Sequence, residues 1–232
     1  MKKHSKRYEK ILSQLPKEEK IWKIADAVKV LKELPPVKFN ETVALSFKTD
    51  INPKQSDQNI RGTVVLPNGL GRKVRVAVFC KGEHEKAAKD AGADVVGATD
   101  LVEKVAGGFL DFDVAIATPE MMREMGRLGK VLGPKGLMPN PKVGTVTTDV
   151  GKVVKEAKAG RVEYRMDKQG NIHVAVGKIS FEPSAIVENA STVIESVFKA
   201  RPAALKGQYI KSIHIAKTMG PGLRLDISQF KL

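Results

Sequence analysis

Two styles of β-strand occur in this sequence, and their order along the chain constrains the fold more than any other feature. In the first style polar and apolar residues alternate, as they do where one face of a sheet is buried and the other wet. Val43, Leu45 and Phe47 alternate in this way within ETVALSFKTD, residues 41–50, and a second such strand runs from Ile60 to Leu66. The style returns late, at Val162–Met166, Ile172–Val176, Tyr209–Lys217 and Leu223–Ile227. In the second style the run is densely apolar, which suits a strand covered on both faces. Val74–Phe79 has that character. Short strands at Asp94–Gly97 and Asp113–Ala117 follow it, separated by helices over Glu83–Ala91 and Thr99–Ala106. Thr118-Pro119-Glu120 reads as an N-cap with proline in the first helical position, and a helix near Asp149–Lys158 closes the series.

Strand–helix alternation at this spacing predicts a parallel α/β unit. It falls entirely between two breaks, Pro67-Asn68-Gly69 and Gly160. The simplest architecture is a split α+β domain, residues 1–66 and 160–232, with a parallel α/β domain, residues 67–159, inserted into it. The two crossings near Pro67 and Gly160 would act as a double hinge.

The remaining elements belong to the split domain. The first thirty-four residues read as helical, with Ile21, Ile24, Val28 and Leu31 on one face, and Pro35-Pro36 stop the helix. INPKQSDQN, residues 51–59, is a polar loop. DKQGN, residues 167–171, reads as a glycine turn that joins its flanking strands in a hairpin. Pro183–Ala200 is an amphipathic helix, apolar along Ile186, Ala190, Val193 and Val197.

Charge divides the chain in the same way. The formal net charge is +14 and the pI near 9.8. Residues 67–159 hold 15 Lys/Arg and 12 Asp/Glu, a net of +3, which leaves +11 for the split domain. Such an excess calls for an acidic partner, and nucleic acid is the commonest. An anionic membrane surface is the alternative, but no apolar run is long enough to span a bilayer. The start, MKKHSKRYEKILSQL, lacks the apolar stretch of a secretory signal, so a cytoplasmic location is expected. Aromatic residues are 5% of the chain, too few for a base-stacking platform, which favours recognition of RNA shape and backbone.

Catalytic motifs fail one by one. In GRLGKVLGPKGLMPNPKVGT, Gly129-Lys130 precedes Val131 and Lys135 precedes Gly136, so no phosphate loop ends in Gly-Lys-Ser/Thr. Asn68-Gly69-Leu70-Gly71 lacks the third glycine of a dinucleotide fingerprint. His4, His84, His173 and His214 are scattered and form no metal-ligand pair at helical spacing. Cys80, the single cysteine, ends an apolar strand and reads as a small core residue. No catalytic group, metal or cofactor is expected. The competing readings are a nucleotide-using enzyme built on the inserted domain and a binder acting through charge alone.

Three stretches carry a family resemblance. SDQNIRGTVVLPNGLGRKVRVAVF (56–79), GRLGKVLGPKGLMPNPKVGTVT (126–147) and SIHIAKTMGPG (212–222) resemble the bacterial ribosomal L-one family, in the family's order. SKRY near the start, Lys38-Phe39 with Glu41-Thr42-Val43, and AGRVEYRMDKQGNIH match as well, so the likeness covers essentially the whole chain. It implies a split α/β domain carrying a Rossmann-like insert, and a structural, non-enzymatic monomer within the ribosome. It also implies three partners: the stalk of large-subunit rRNA beside the tRNA exit site, deacylated tRNA leaving that site, and the chain's own mRNA, whose translation it would repress.

Carried over residue by residue, the resemblance places RNA contacts at Lys38, Phe39 and Thr42, and at Ser212, Thr218, Met219 and Gly220. Taken alone, Phe39 reads as a core aromatic and Met219 as a core gap-filler. In Thr218–Gly222 the family reading has the Thr218 hydroxyl bonding RNA and Gly220 admitting an RNA backbone; the bland one is a Gly-Pro turn. Arg161, Arg165 and Lys168 flank the predicted hairpin, either as phosphate contacts or as a solvated charged face. The basic start, Lys2 to Lys10, either reaches RNA or frays. Leu132–Gly144 either contacts RNA through Lys130, Lys135 and Lys142 or only shapes the insert.

Overall fold

The computed structural model describes residues 5–16, 20–51, 53, 60–202, 205 and 207–230. Most of the predicted loop 51–59, together with Lys2, Lys3 and His4, lies outside the described residues. The chain forms two compact units, one of residues 1–71 with 162–232 and the other of residues 72–161.

In the first unit α1 (Lys6–Gln14) and α2 (Ile24–Glu33) replace the single helix that the apolar spacing predicts. Leu15 turns extended ahead of Pro16, whose ring disfavours a helical residue before it. Ile21, assigned to the helical face, instead sits on an extended segment and is 56% exposed. There Trp22 pairs with the sheet edge, its N–H donating to the Arg224 carbonyl at 2.8 Å.

The sheet of this unit has the order β7-β1-β8-β9, formed by β1 (Thr42–Thr49), β7 (Asn171–Lys178), β8 (Ile210–Lys217) and β9 (Leu223–Arg224). Strand β1 is central and antiparallel to both β7 and β8. Its odd-numbered residues Val43, Leu45, Phe47 and Thr49 are buried, and α2 packs with α8 (Pro183–Lys199) over the sheet. Strand β9 is shorter than the predicted Leu223–Ile227, because Asp226 accepts the Ser228 N–H at 2.9 Å and turns the chain.

The predicted hairpin around Asp167–Asn171 is only partly formed. β6 (Arg161–Arg165) pairs with β2 (Arg61–Val65) in a separate two-stranded sheet, and a single bridge, Met166 to Ile172, links it to β7. The turn is closed by the Asp167 carboxylate, which accepts the N–H groups of Gln169 and Asn171, both at 2.8 Å. Burial pushes the Asp167 carboxyl up, but those N–H bonds outweigh it and hold the group below its ordinary value. At the Pro67–Gly71 crossing, the buried Asn189 amide accepts the Asn68 N–H and donates to the carbonyls of Gly69 and Val176.

The second unit is a three-stranded parallel sheet of order β4-β3-β5: β3 (Val76–Phe79), β4 (Val95–Gly97) and β5 (Val114–Ala117). Helices α3 (Glu83–Asp90) and α4 (Thr99–Ala106) follow β3 and β4. A chain of short helical turns from Pro119 to Leu132 follows β5, including α5 (Met122–Met125) and α6 (Gly129–Leu132), and α7 (Val150–Ala159) ends the unit. Both faces are covered, as the dense apolar runs require. Val76, Val78 and Ile116 join one core with Val150, Val153 and Val154, while Ala77, Phe79 and Ala117 join another with Leu101, Met121 and Leu132. The fold is thus a split α+β domain with an inserted Rossmann-like unit. Cys80 is fully buried beside the first of these cores.

Candidate nucleic-acid interface

The open face of the four-stranded sheet is set by the pleat. Thr42, Ala44, Ser46 and Lys48 alternate with the buried residues of β1, so they point away from the helices. Register then brings His173 and His214 to either side of Ser46, and Ser212 opposite Lys48. The His173 ring nitrogen lies 3.0 Å from the Ser46 hydroxyl. The two histidines are far apart in sequence, so their juxtaposition needs the strand pairing. The alternation in β1 was the one signal that could have found Ser46.

At one end of this face, β1 and β8 are zipped together by Thr218. Its N–H donates to the Thr42 carbonyl at 3.0 Å, and its hydroxyl contacts the Thr42 N–H at 3.1 Å and carbonyl at 3.2 Å. The Thr42 hydroxyl accepts from the Lys178 ammonium at 2.8 Å. Thr218 therefore shapes this corner, and its hydroxyl is engaged within the protein.

The chain next turns through Lys217–Gly220, closed by the Gly220 N–H on the Lys217 carbonyl at 2.8 Å. Met219 occupies the third position with φ 60°, a conformation usually left to glycine or asparagine. It is the non-glycine residue with positive φ among those described, and its side chain is 69% exposed. A Cβ on Gly220 would stand 2.9 Å from the Lys217 Cγ and 3.1 Å from its carbonyl oxygen. Gly220 is thus needed by the turn itself, whatever else approaches it.

Under this turn lies a buried ion pair. The Lys217 ammonium is 3.0 Å from a Glu41 carboxylate oxygen, with both side chains 1% exposed. The same ammonium donates to the carbonyls of Leu34, at 3.0 Å, and Pro35, at 3.4 Å, which ties the end of α2 to the sheet. Neither Glu41 oxygen receives a hydrogen bond. Lys38 and Phe39 precede this corner on a bend, and Phe39 is 53% exposed. The core reading of Phe39 and that of Met219 both give way to surface positions.

The expected contact residues thus fall into separate places. Lys38, Phe39, Thr42, Thr218, Met219 and Gly220 gather at one end of the sheet. Ser212 lies on the open face toward the other end. Lys168 is exposed in the turn beyond that other end, and Arg165 is exposed at the end of β6. Arg161 does not join any of them. Its guanidinium donates to Glu156 at 2.9 Å and to the Val143 carbonyl, inside the second unit. There it holds the end of the glycine-rich segment, and a Cβ on Gly144, at φ +70°, would stand 2.9 Å from it.

Among the described residues no group of three or more His, Cys, Asp or Glu could hold a metal ion, and no helix is long and apolar enough to cross a membrane. Burial pushes the Cys80 thiol up to about 11, and Glu85 adds to the effect, so it stays protonated near neutrality.

Fold and surface together define a class: a basic, two-unit α/β protein with an open sheet face that has large exposed apolar side chains at one end. Comparison with known proteins makes the class specific. The model of the Ribosomal protein L1p/L10e family matches residues 31–221, and the chain belongs to that family. It is 53% identical over 226 residues to the large ribosomal subunit protein uL1 of Lactobacillus delbrueckii subsp. bulgaricus, covering 97% of each chain. It is also 53% identical over 229 residues to the protein of the same name from Limosilactobacillus fermentum, covering 99% of each. The chain is accordingly a structural, non-enzymatic protein of the large ribosomal subunit, at work with the ribosome in the cytoplasm.

Proposed function

We propose that the split unit binds a folded stalk of large-subunit rRNA through the corner formed by Lys38–Thr42 and Thr218–Gly220, extended along the open sheet face by Ser212. The observation that carries this is the pair Phe39 and Met219. Two large apolar side chains stand exposed at the same end of one sheet, and Met219 does so on strained backbone. Strain of that kind costs of order 1–3 kcal/mol and persists where the surroundings enforce it, typically at binding sites. The +11 charge outside residues 67–159 supplies the attraction for phosphate, and Arg165 and Lys168 add to it at the far end of the sheet. Thr218 and Gly220 act by building the corner. Arg161, committed to Glu156 and Val143, takes no part.

The family resemblance extends the reading to two further roles. The stalk-bound chain assists release of deacylated tRNA from the exit site, and the same corner binds a similar structure in the chain's own mRNA and represses its translation. Alanine at Phe39 or Met219 should weaken stalk-RNA binding at least 10-fold, whereas Lys168→Gln should cost a small, salt-sensitive factor. Repression of the chain's own mRNA in a cell-free translation reaction should be relieved by excess stalk RNA. Wild-type affinity in both alanine variants would remove the corner from the RNA surface.

A further inference from the structure

The split unit carries a cleft of about 730 Å³ that none of the contact residues above except Ser212 touches. One wall is apolar: Leu12 and Leu15, from the end of α1 and just beyond, with Trp22 from the extended segment. Leu12 is 42% exposed. The rest of the lining is largely polar and basic, with Lys211, His214 and Arg224 from β8 and β9. Lys20 adds a further cation, its ammonium 4.3 Å from the centre of the Trp22 ring. Among the described residues that line the cleft none is acidic, and the Lys211 ammonium is 2.6 Å from the Asp50 carboxylate.

This division of labour has a chemical meaning. An aromatic and aliphatic wall accepts the face of a nucleobase, and a cationic wall accepts the phosphate attached to it. The volume lies within the range of small-ligand sites, roughly 300–1,000 Å³. Ser212, Pro221 and Gly222 line it too, so the cleft adjoins the open sheet face and the turn that ends at Gly220. Trp22 is itself held in place, its N–H on the Arg224 carbonyl and its carbonyl accepting the Asp226 N–H at 2.9 Å. A low aromatic content argues against a stacking platform along a single strand, but one ring in a cleft suffices for one base.

We propose that this cleft receives a single unstacked nucleotide of the bound RNA, its base against Trp22 and its phosphate among Lys20, Lys211 and Arg224. The proposal rests on the RNA-binding reading and adds a base-binding subsite to it. Trp22 is the only tryptophan in the chain, so its emission reports on the cleft directly.

The test uses the full chain and a stalk RNA fragment, with filter binding as an independent measure of complex. Saturating RNA should quench Trp22 emission. An abasic scan of the fragment should find a position where loss of the base weakens binding roughly 5- to 150-fold, the range of one stacked base. That penalty should disappear in Trp22→Leu and persist in Trp22→Phe, which keeps a ring and guards against misfolding as the cause. Tight, selective binding with unchanged Trp22 emission, or an abasic penalty that Trp22→Leu leaves intact, would overturn the subsite alone. Failure of the wild-type chain to prefer stalk RNA over a scrambled control would overturn the RNA reading and the subsite with it.

Discussion

The Arg7 guanidinium donates to the carbonyl of Met219 at 2.6 Å, joining the first helix to the one described non-glycine residue whose φ is positive. The same group reaches the Pro35 carbonyl at 3.3 Å. Arg7 thus bridges the end of α2 and the exposed turn, and it holds that turn in place from the protein side. A planar fork can serve two carbonyls at once, which an ammonium on a single stem does less well.

Stability and binding should therefore part company at Met219. Met219→Gly removes the left-handed strain and should stabilise the fold by about 1 kcal/mol, while loss of the side chain weakens stalk-RNA binding. Arg7→Lys should cost about 1 kcal/mol of stability and lower the ratio of stalk-RNA to scrambled-RNA affinity. Denaturant unfolding and filter binding on the same preparations measure both. A Met219→Gly chain that is less stable than wild type would contradict the assigned strain.

The Glu41–Lys217 pair should behave as a buried charge that only its partner makes tolerable. Lys217→Met alone strands the Glu41 carboxylate and should cost about 3–5 kcal/mol, as should Glu41→Leu alone. The double variant should lose much less than the two together. Chemical denaturation of the three variants would show it; additive losses would mean that the two groups are energetically independent.

Much of the fold was legible because hydrophobic period reports burial directly. The alternation in residues 41–50 marks a sheet with one open face, and the dense run at Val74–Phe79 marks one covered on both. Local competition caused the misses. Pro16 ends a helix that the spacing of Ile21 and Ile24 predicts to continue, and the Asp167 carboxylate closes a turn whose strand β6 pairs with β2 instead. At the candidate site, the gathering of Lys38–Thr42 with Thr218–Gly220 came through the resemblance, since nothing local connects residues so far apart. Ser46 between His173 and His214 depends on strand register, and the Trp22 cleft on an extended segment read as helix.

Cys80 should make stability pH-dependent in the alkaline range. Its thiol is raised from an ordinary 9.0 to about 11 in the folded chain, so the folded state holds the proton longer than the unfolded state does. The associated stability is fully present below about 9 and is lost as pH rises toward about 11. Cys80→Ala should flatten that part of the profile. The informative quantity is the difference in unfolding midpoint between wild type and variant at pH 8 and at pH 10.5. An identical slope in both would show that Cys80 does not titrate with folding.

On the proposed reading, the split unit recognises the shape of a stalk RNA and does not merely attract phosphate. The most direct measurement is the affinity of the full chain for stalk RNA and for a scrambled RNA of equal length, across a series of salt concentrations. Phosphate neutralisation predicts that log affinity falls linearly with log salt for both. Shape recognition predicts that a gap of about 10³-fold or more survives at physiological salt. Two lines that coincide throughout the series would contradict the account and leave only the attraction of a basic protein for any nucleic acid.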